Sequence, residues 1–172
     1  MYQRILIVVD PRPVGRAAIE QGTELARAQG AEAVYFCRVP KYAVLIADAP
    51  PYIAVPADDY YDEMRADAQA ALAYATSLAD AAGVRSCAVV GDGEDDARGI
   101  IDAARARSCD VIVVACEGRN ALVRLLNGSV VPGLISASPV PVLVCRDGAL
   151  PRMPGALPGT QAQAPEHRSH VQ

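Results

Sequence analysis

The sequence predicts a doubly wound α/β fold, a five-stranded parallel sheet with helices on both faces. Three observations carry this. Five short runs rich in valine and isoleucine, residues 5–9, 33–39, 85–90, 111–115 and 140–145, suit strands buried on both sides. Longer segments with helical spacing of apolar residues alternate with them. Gly30 and Gly83 stand just past the last periodic residue of the first two such segments, where helices end.

Along the chain, ILIVV opens the fold as the first strand and closes on Asp10. Ala17, Ile19, Leu25 and Ala26 mark the apolar face of the first helix, and residues 33–39 form the second strand. Residues 40–61 then read as a long connection broken by Pro40, Pro50, Pro51 and Pro56. A connection of that length is either a functional lid or an apolar flap over a sheet edge or subunit interface. Met64, Ala68, Ala71, Leu72, Ala75 and Leu78 carry the second helix, and residues 85–90 the third strand, with Gly91 just beyond it.

The acidic run 91–97 is not a calcium hand. If Asp92 were the first position of such a loop, the sixth would be Ala97 and the twelfth Ala103, neither the turn glycine nor the bidentate glutamate required. Asp95 and Asp96 instead suit the first turn of a third helix, marked by Ile100, Ile101 and Ala104, where the dipole favours negative charge. Residues 111–115 form the fourth strand. A fourth helix starts at Ser129, with Pro132 in its first turn, where the missing N–H costs no bond. Residues 140–145 complete the sheet.

These elements define one domain, residues 1–148. Residues 149–172 are rich in proline, glycine and glutamine without an apolar period and read as a flexible tail. Arg152, Glu166 and Arg168 give that tail a charge of +1, so the domain carries −5 of the chain's −4 net charge. Such a surface has no bulk attraction for nucleic acid. No apolar stretch approaches the roughly 18 residues of a membrane span, and the first ten residues read as a strand and not an export signal. A cytoplasmic protein with no membrane partner is expected. Five cysteines without a CxxC pair suit buried reduced thiols, and both histidines, His167 and His170, lie in the tail. The domain therefore has no imidazole for acid–base or metal chemistry.

In an open parallel sheet, ligands bind beyond the carboxyl ends of the strands, where the strand order reverses. That rule selects Asp10 and Pro11, Val39 and Pro40, Gly91, and residues 115–118. Gly128 and Ser129 open the last helix, whose free N–H groups and positive dipole end favour an anion. Two glycines are also what a turn needs, so Gly118 and Gly128 admit both a phosphate cradle and a plain loop.

The segment VIVVACEGRNALVRLLNGSVVPGLISASPVPVLVCR resembles the C-terminal signature of the universal stress protein family, in which G-x-x-G, nine residues and G-[ST] bind ATP phosphates. Gly118, residues 119–127, Gly128 and Ser129 match in register. ILIVVD at the start and VVGDGEDDARGIIDAA in the third unit match as well, so the resemblance covers residues 1–147. It implies a sheet order of 3-2-1-4-5 and a stress-response module that binds ATP or another adenine nucleotide as a sensor or regulator, with magnesium as a companion ion. It also implies a homodimer made partly by antiparallel pairing of the last strands.

On this resemblance the binding residues are Asp10, Pro11, Val39, Ala115, Gly118, Arg119, Gly128, Ser129 and Val130. Asp10 orients ribose or magnesium, or else caps the first helix. Arg12, Arg119 and Arg124 meet phosphate, or are solvated loop charges. The chain departs from the pattern at Ala115, where the family's first glycine stands, and at Pro11 and Arg12, where glycine and serine are common. A β-carbon at 115 narrows the cradle, which supports a second reading: a domain that has lost the nucleotide and acts through an unnamed protein partner. A nucleotide-dependent transferase ranks last, since DPRPVG follows the first strand where such enzymes carry histidines or a serine–glycine loop. No catalytic residue and no general base for ATP hydrolysis can be named.

Overall fold

The computed structural model describes residues 1–39, 57–92, 96–116 and 130–146. Five parallel strands, β1 (Arg4–Val9), β2 (Glu32–Val39), β3 (Ser86–Asp92), β4 (Val111–Cys116) and β5 (Val142–Arg146), lie in the order β3-β2-β1-β4-β5. Helices α1 (Gly15–Gln29), α2 (Ala57–Ala81), α3 (Asp96–Ala106) and α4 (Val130–Ala137) link them. Right-handed crossovers explain the layering: α1 and α2 connect strands that step one way from β1 and share a face, while α3 and α4 connect the return steps and share the other.

Strand alternation builds two cores. Ile5, Ile7, Val9, Tyr35, Cys37, Val39 and Val113 pack toward α1 and α2. Leu6, Val34, Phe36, Ile112 and Val114, from the intervening positions, pack toward α3 and α4. A strand buried on both faces reads as an unbroken apolar run, which is how the strands were legible. The helix stops are also as expected: Gly30 and Gly83 take the left-handed conformation, with φ of 65° and 68°, and Gly30 donates to the Arg27 carbonyl at the end of α1.

Several boundaries differ from the sequence expectation. Residues 57–61, read as part of the long connection, belong to α2. Pro56 is the last of that segment's prolines, and no breaker follows until Gly83, so the helix can begin at once. Residues 40–56, and with them the lid or flap, lie outside the described residues, as do Asp95 and the tail. The third strand runs through Gly91 to Asp92, paired with Arg38 and Val39. The fifth begins at Val142 and not at 140. Pro139 and Pro141 flank Val140, which is held in a bend by Ser138: the Ser138 hydroxyl donates to the Val140 carbonyl at 2.7 Å and accepts its N–H at 3.2 Å. The five cysteines are all free, but only Cys37, Cys109 and Cys145 are buried; Cys87 and Cys116 are half-buried, because they stand near the margins of the sheet.

Among the described residues Thr23 is a polar side chain buried in the core, and it is satisfied. Its hydroxyl donates to the Ile19 carbonyl at 2.6 Å, leaving its lone pairs to accept the Tyr35 hydroxyl, also at 2.6 Å. Tyr35 is fully buried, and burial raises its pKa, so the phenol remains a donor at neutral pH. Thr23→Val strands a buried phenol and should cost about 1–3 kcal/mol, Tyr35→Phe less, and the double variant no more than Thr23→Val alone. Urea denaturation of the four proteins checks this; additive losses would contradict the pairing.

The start of α1 is fixed by a close approach. A β-carbon built at Gly15 would lie 2.0 Å from the Asp10 carbonyl oxygen, so the helix can rest against the end of β1 only without a side chain there. Gly15→Ala should lower stability by about 2 kcal/mol or more, through a forced backbone shift. An unchanged urea midpoint would refute the contact.

Candidate functional site

The opening of the sheet lies between β1 and β4. Their pairing runs only from Ile5↔Val111 to Ile7↔Val113. Each strand continues against its other neighbour, β1 to Val9↔Cys37 and β4 to Cys116↔Arg146. The two central strands thus part at their carboxyl ends, and the helices that follow them in the chain, α1 after β1 and α4 after β4, lie on opposite faces. This is the crevice that a doubly wound sheet offers to a ligand.

The expected site residues fall around it unevenly. Asp10 and Pro11 follow β1 directly. Ala115 stands on β4, half-buried, with its methyl packed toward the α1 and α2 layer, while Cys116 packs toward the other layer. Val130 is the first residue of α4 and half-buried against the α3 and α4 core. Val39 ends β2 with its side chain buried in the α1 and α2 core, which gives it a packing role whatever else it touches. Gly118, Arg119, Arg124, Gly128 and Ser129 lie outside the described residues. Pro132, as expected, sits in the first turn of α4.

Asp10 does not cap α1. That helix begins at Gly15 with Val14 at its N-cap and no side-chain cap bond. The Asp10 carboxylate turns back on its own loop instead. Oδ1 accepts the Arg12 backbone N–H at 2.9 Å and Arg12 Nε at 3.0 Å; Oδ2 accepts Nε at 3.1 Å and also Nη2. An aspartate gripping the N–H two residues on is the usual way this side chain closes a turn. Arg12 is therefore not simply a solvated charge: its side chain is 69% exposed, yet it forms an ion pair with Asp10. The Arg12 and Pro13 carbonyls accept from Gly15 and Arg16, carrying the turn into the helix.

Beside this loop a groove of about 410 Å³ runs between α1 and α2. Asp10 and Arg12 stand at one end, and Asp67, Ala71 and Tyr74 of α2 face Arg16 across it. Arg16 donates to the Tyr74 hydroxyl through Nε at 3.3 Å and Nη2 at 3.2 Å, with its guanidinium carbon 5.2 Å from the ring centre. Sequence reasoning missed this bridge, since helical periodicity reports which face is apolar and not which residue of another helix meets it.

The buried thiols offer no nucleophile here. Burial, reinforced by the Asp10 charge, pushes the Cys37 pKa up to about 11, and burial also raises that of Cys145. Among the described residues no group of three or more histidine, cysteine, aspartate or glutamate side chains could hold a metal ion, and no helix is long and apolar enough to cross a membrane.

Comparison with known proteins places this architecture. The chain is 27% identical to a universal stress protein of Methanocaldococcus jannaschii over 150 residues, covering 85% of this chain and 83% of that one. The fold matches that of the universal stress protein UspA from Lactobacillus plantarum with a TM-score of 0.68, at 22% identity, over 84% of this chain and 98% of the other. Three further matched structures hold adenine nucleotides. One is a universal stress protein in complex with cAMP, 20% identical, TM-score 0.62, with 83% and 96% of the two chains covered. The others are an Archaeoglobus fulgidus protein with dAMP (19%, 0.60, 84% and 98%) and an Arabidopsis thaliana protein with AMP (18%, 0.58, 86% and 93%). The model of the Universal stress protein family matches residues 1–146, and the chain belongs to that family.

Proposed function

We propose that this protein is a regulatory binding module for an adenine nucleotide, with ATP the leading ligand, acting in the cytoplasm as a sensor and not primarily as a catalyst. The observation that carries the reading is the start of α4 at Val130, immediately after Gly128 and Ser129, following a strand that has parted from β1. Helix N-termini present unpaired N–H groups and a positive dipole end, and the glycine–serine pair in sequence before Val130 suits the close approach of a phosphate. Adenine nucleotides bound by matched structures support the same ligand class. Asp10 and Pro11 would border the crevice from the end of β1, where ribose or an ion beside the phosphates would lie, and Gly118, Arg119, Gly128 and Ser129 the phosphate side.

Ala115 favours a second reading. Its β-carbon stands where the motif has glycine, so a chain that has lost the nucleotide and works through a protein partner is the rival. Calorimetric titration with ATP decides between them. Wild-type protein should bind, Ser129→Ala should weaken binding about tenfold, as expected for one hydrogen bond to a charged group, and Gly118→Ala should weaken it too. No wild-type binding, restored by Ala115→Gly, would establish the rival.

A homodimer through β5 belongs to the same proposal. β5 is an edge strand whose Leu143 is 43% exposed, and an uncovered apolar edge is an aggregation liability. Sedimentation at micromolar concentration should show a dimer; Leu143→Lys, which places a charge on that edge, should shift it toward monomer. A wild-type monomer would refute this part.

A further inference from the structure

Magnesium accompanies ATP in solution, and Asp10 is the carboxylate at the crevice that a bound ion would look to. The side chain does not fit that role. Both of its oxygens are engaged by Arg12, Oδ1 by the backbone N–H and Nε, Oδ2 by Nε and Nη2. We propose that the Arg12 guanidinium replaces a divalent cation at Asp10, so that this chain binds its nucleotide independently of magnesium. The proposal rests on the nucleotide reading above.

The competition can be argued from both sides. An exposed ion pair is weak by itself, and Arg12 is well exposed. A single carboxylate is also a poor magnesium ligand, because the ion sheds its water reluctantly and is usually held by one or two carboxylates together with phosphates. Arg12 has the advantage of tethering. Two residues from Asp10, it competes at an effective concentration on the order of millimolar, and the Asx turn fixes the carboxylate before the guanidinium arrives. A cation approaching Asp10 would have to displace a positive group and break a two-oxygen contact to gain one ligand. Among the described residues no group of three or more ligating side chains completes a site, and Asp67, the other carboxylate that lines the groove, lies on α2.

The chemistry also predicts what removing Arg12 does. With the guanidinium gone, Asp10 presents an unbalanced negative charge to the phosphates, and a divalent ion between the two becomes favourable. Arg12 thus sets whether the site takes the free nucleotide or its magnesium complex.

The test is calorimetric titration of ATP in EDTA and in excess magnesium, on wild type, Arg12→Ala and Arg12→Ala/Asp10→Asn. Wild-type Kd should agree within about threefold between the two buffers. Arg12→Ala should bind at least about tenfold more tightly with magnesium than without, and Asp10→Asn should abolish that difference. Mn2+ bound beside ATP, read by its electron spin resonance, should show a protein ligand only in Arg12→Ala. Wild-type binding that requires magnesium, or an Arg12→Ala protein as indifferent to the ion as wild type, overturns the proposal while leaving the nucleotide reading intact. No ATP binding in either buffer overturns both.

Discussion

The structure depends on the handedness of its crossovers. A parallel sheet made of right-handed units grows in one direction as long as consecutive strands are neighbours, and it reverses only by returning to the starting edge. Here β1 lies at the centre, with β2 and β3 on one side and β4 and β5 on the other. That single reversal assigns two helices to each face and buries β1 from both. It also opens the sheet between β1 and β4, whose following helices lie on opposite faces. Core and crevice are consequences of one chiral constraint.

Energetically the same constraint makes the central strands nearly featureless. Ile5, Leu6 and Ile7 are completely buried, and so are Ile112 and Val113. There is no polar alternation to fix their register, so specificity must come from elsewhere. The hydroxyl pair of Thr23 and Tyr35 supplies some of it by joining α1 to β2 at one point. Sliding the helix by a residue would leave the Tyr35 hydroxyl without its partner in an apolar layer, where such a group is costly, while Thr23 would keep its bond to Ile19 within the helix. Apolar packing supplies the bulk of the stability and this bond a preferred alignment.

The unbroken valine and isoleucine runs made the strands legible, and Gly30 and Gly83 marked the helix ends because only their backbone suits the left-handed turn. The start of α2 was less legible: four prolines in residues 40–56 dominate the local signal, and the lack of a breaker between Pro56 and Gly83 permits a helix from residue 57 without fixing where it begins. β5 was placed two residues early because Val140 is apolar, although the prolines on either side and the Ser138 bend exclude it from the ladder. Around the crevice, topology and motif indicated which loops matter, and the geometry of Asp10 escaped notice. Its ambiguity between cap, ribose and ion was real at the level of residue types. Only the distances to Arg12 show that the carboxylate has already been engaged, and the sequence DPR carries that possibility without distinguishing it from a solvated turn.

The close contact at Gly15 has a mechanical consequence. Because the Asp10 carbonyl abuts the first residue of α1 with no room for a methyl group, the end of β1 and the helix behave as a stiff joint in a densely packed layer. The helix rests on β1 and β4 and reaches β5 at the sheet margin. One helix thus spans from the mouth of the crevice to the outer edge of the sheet.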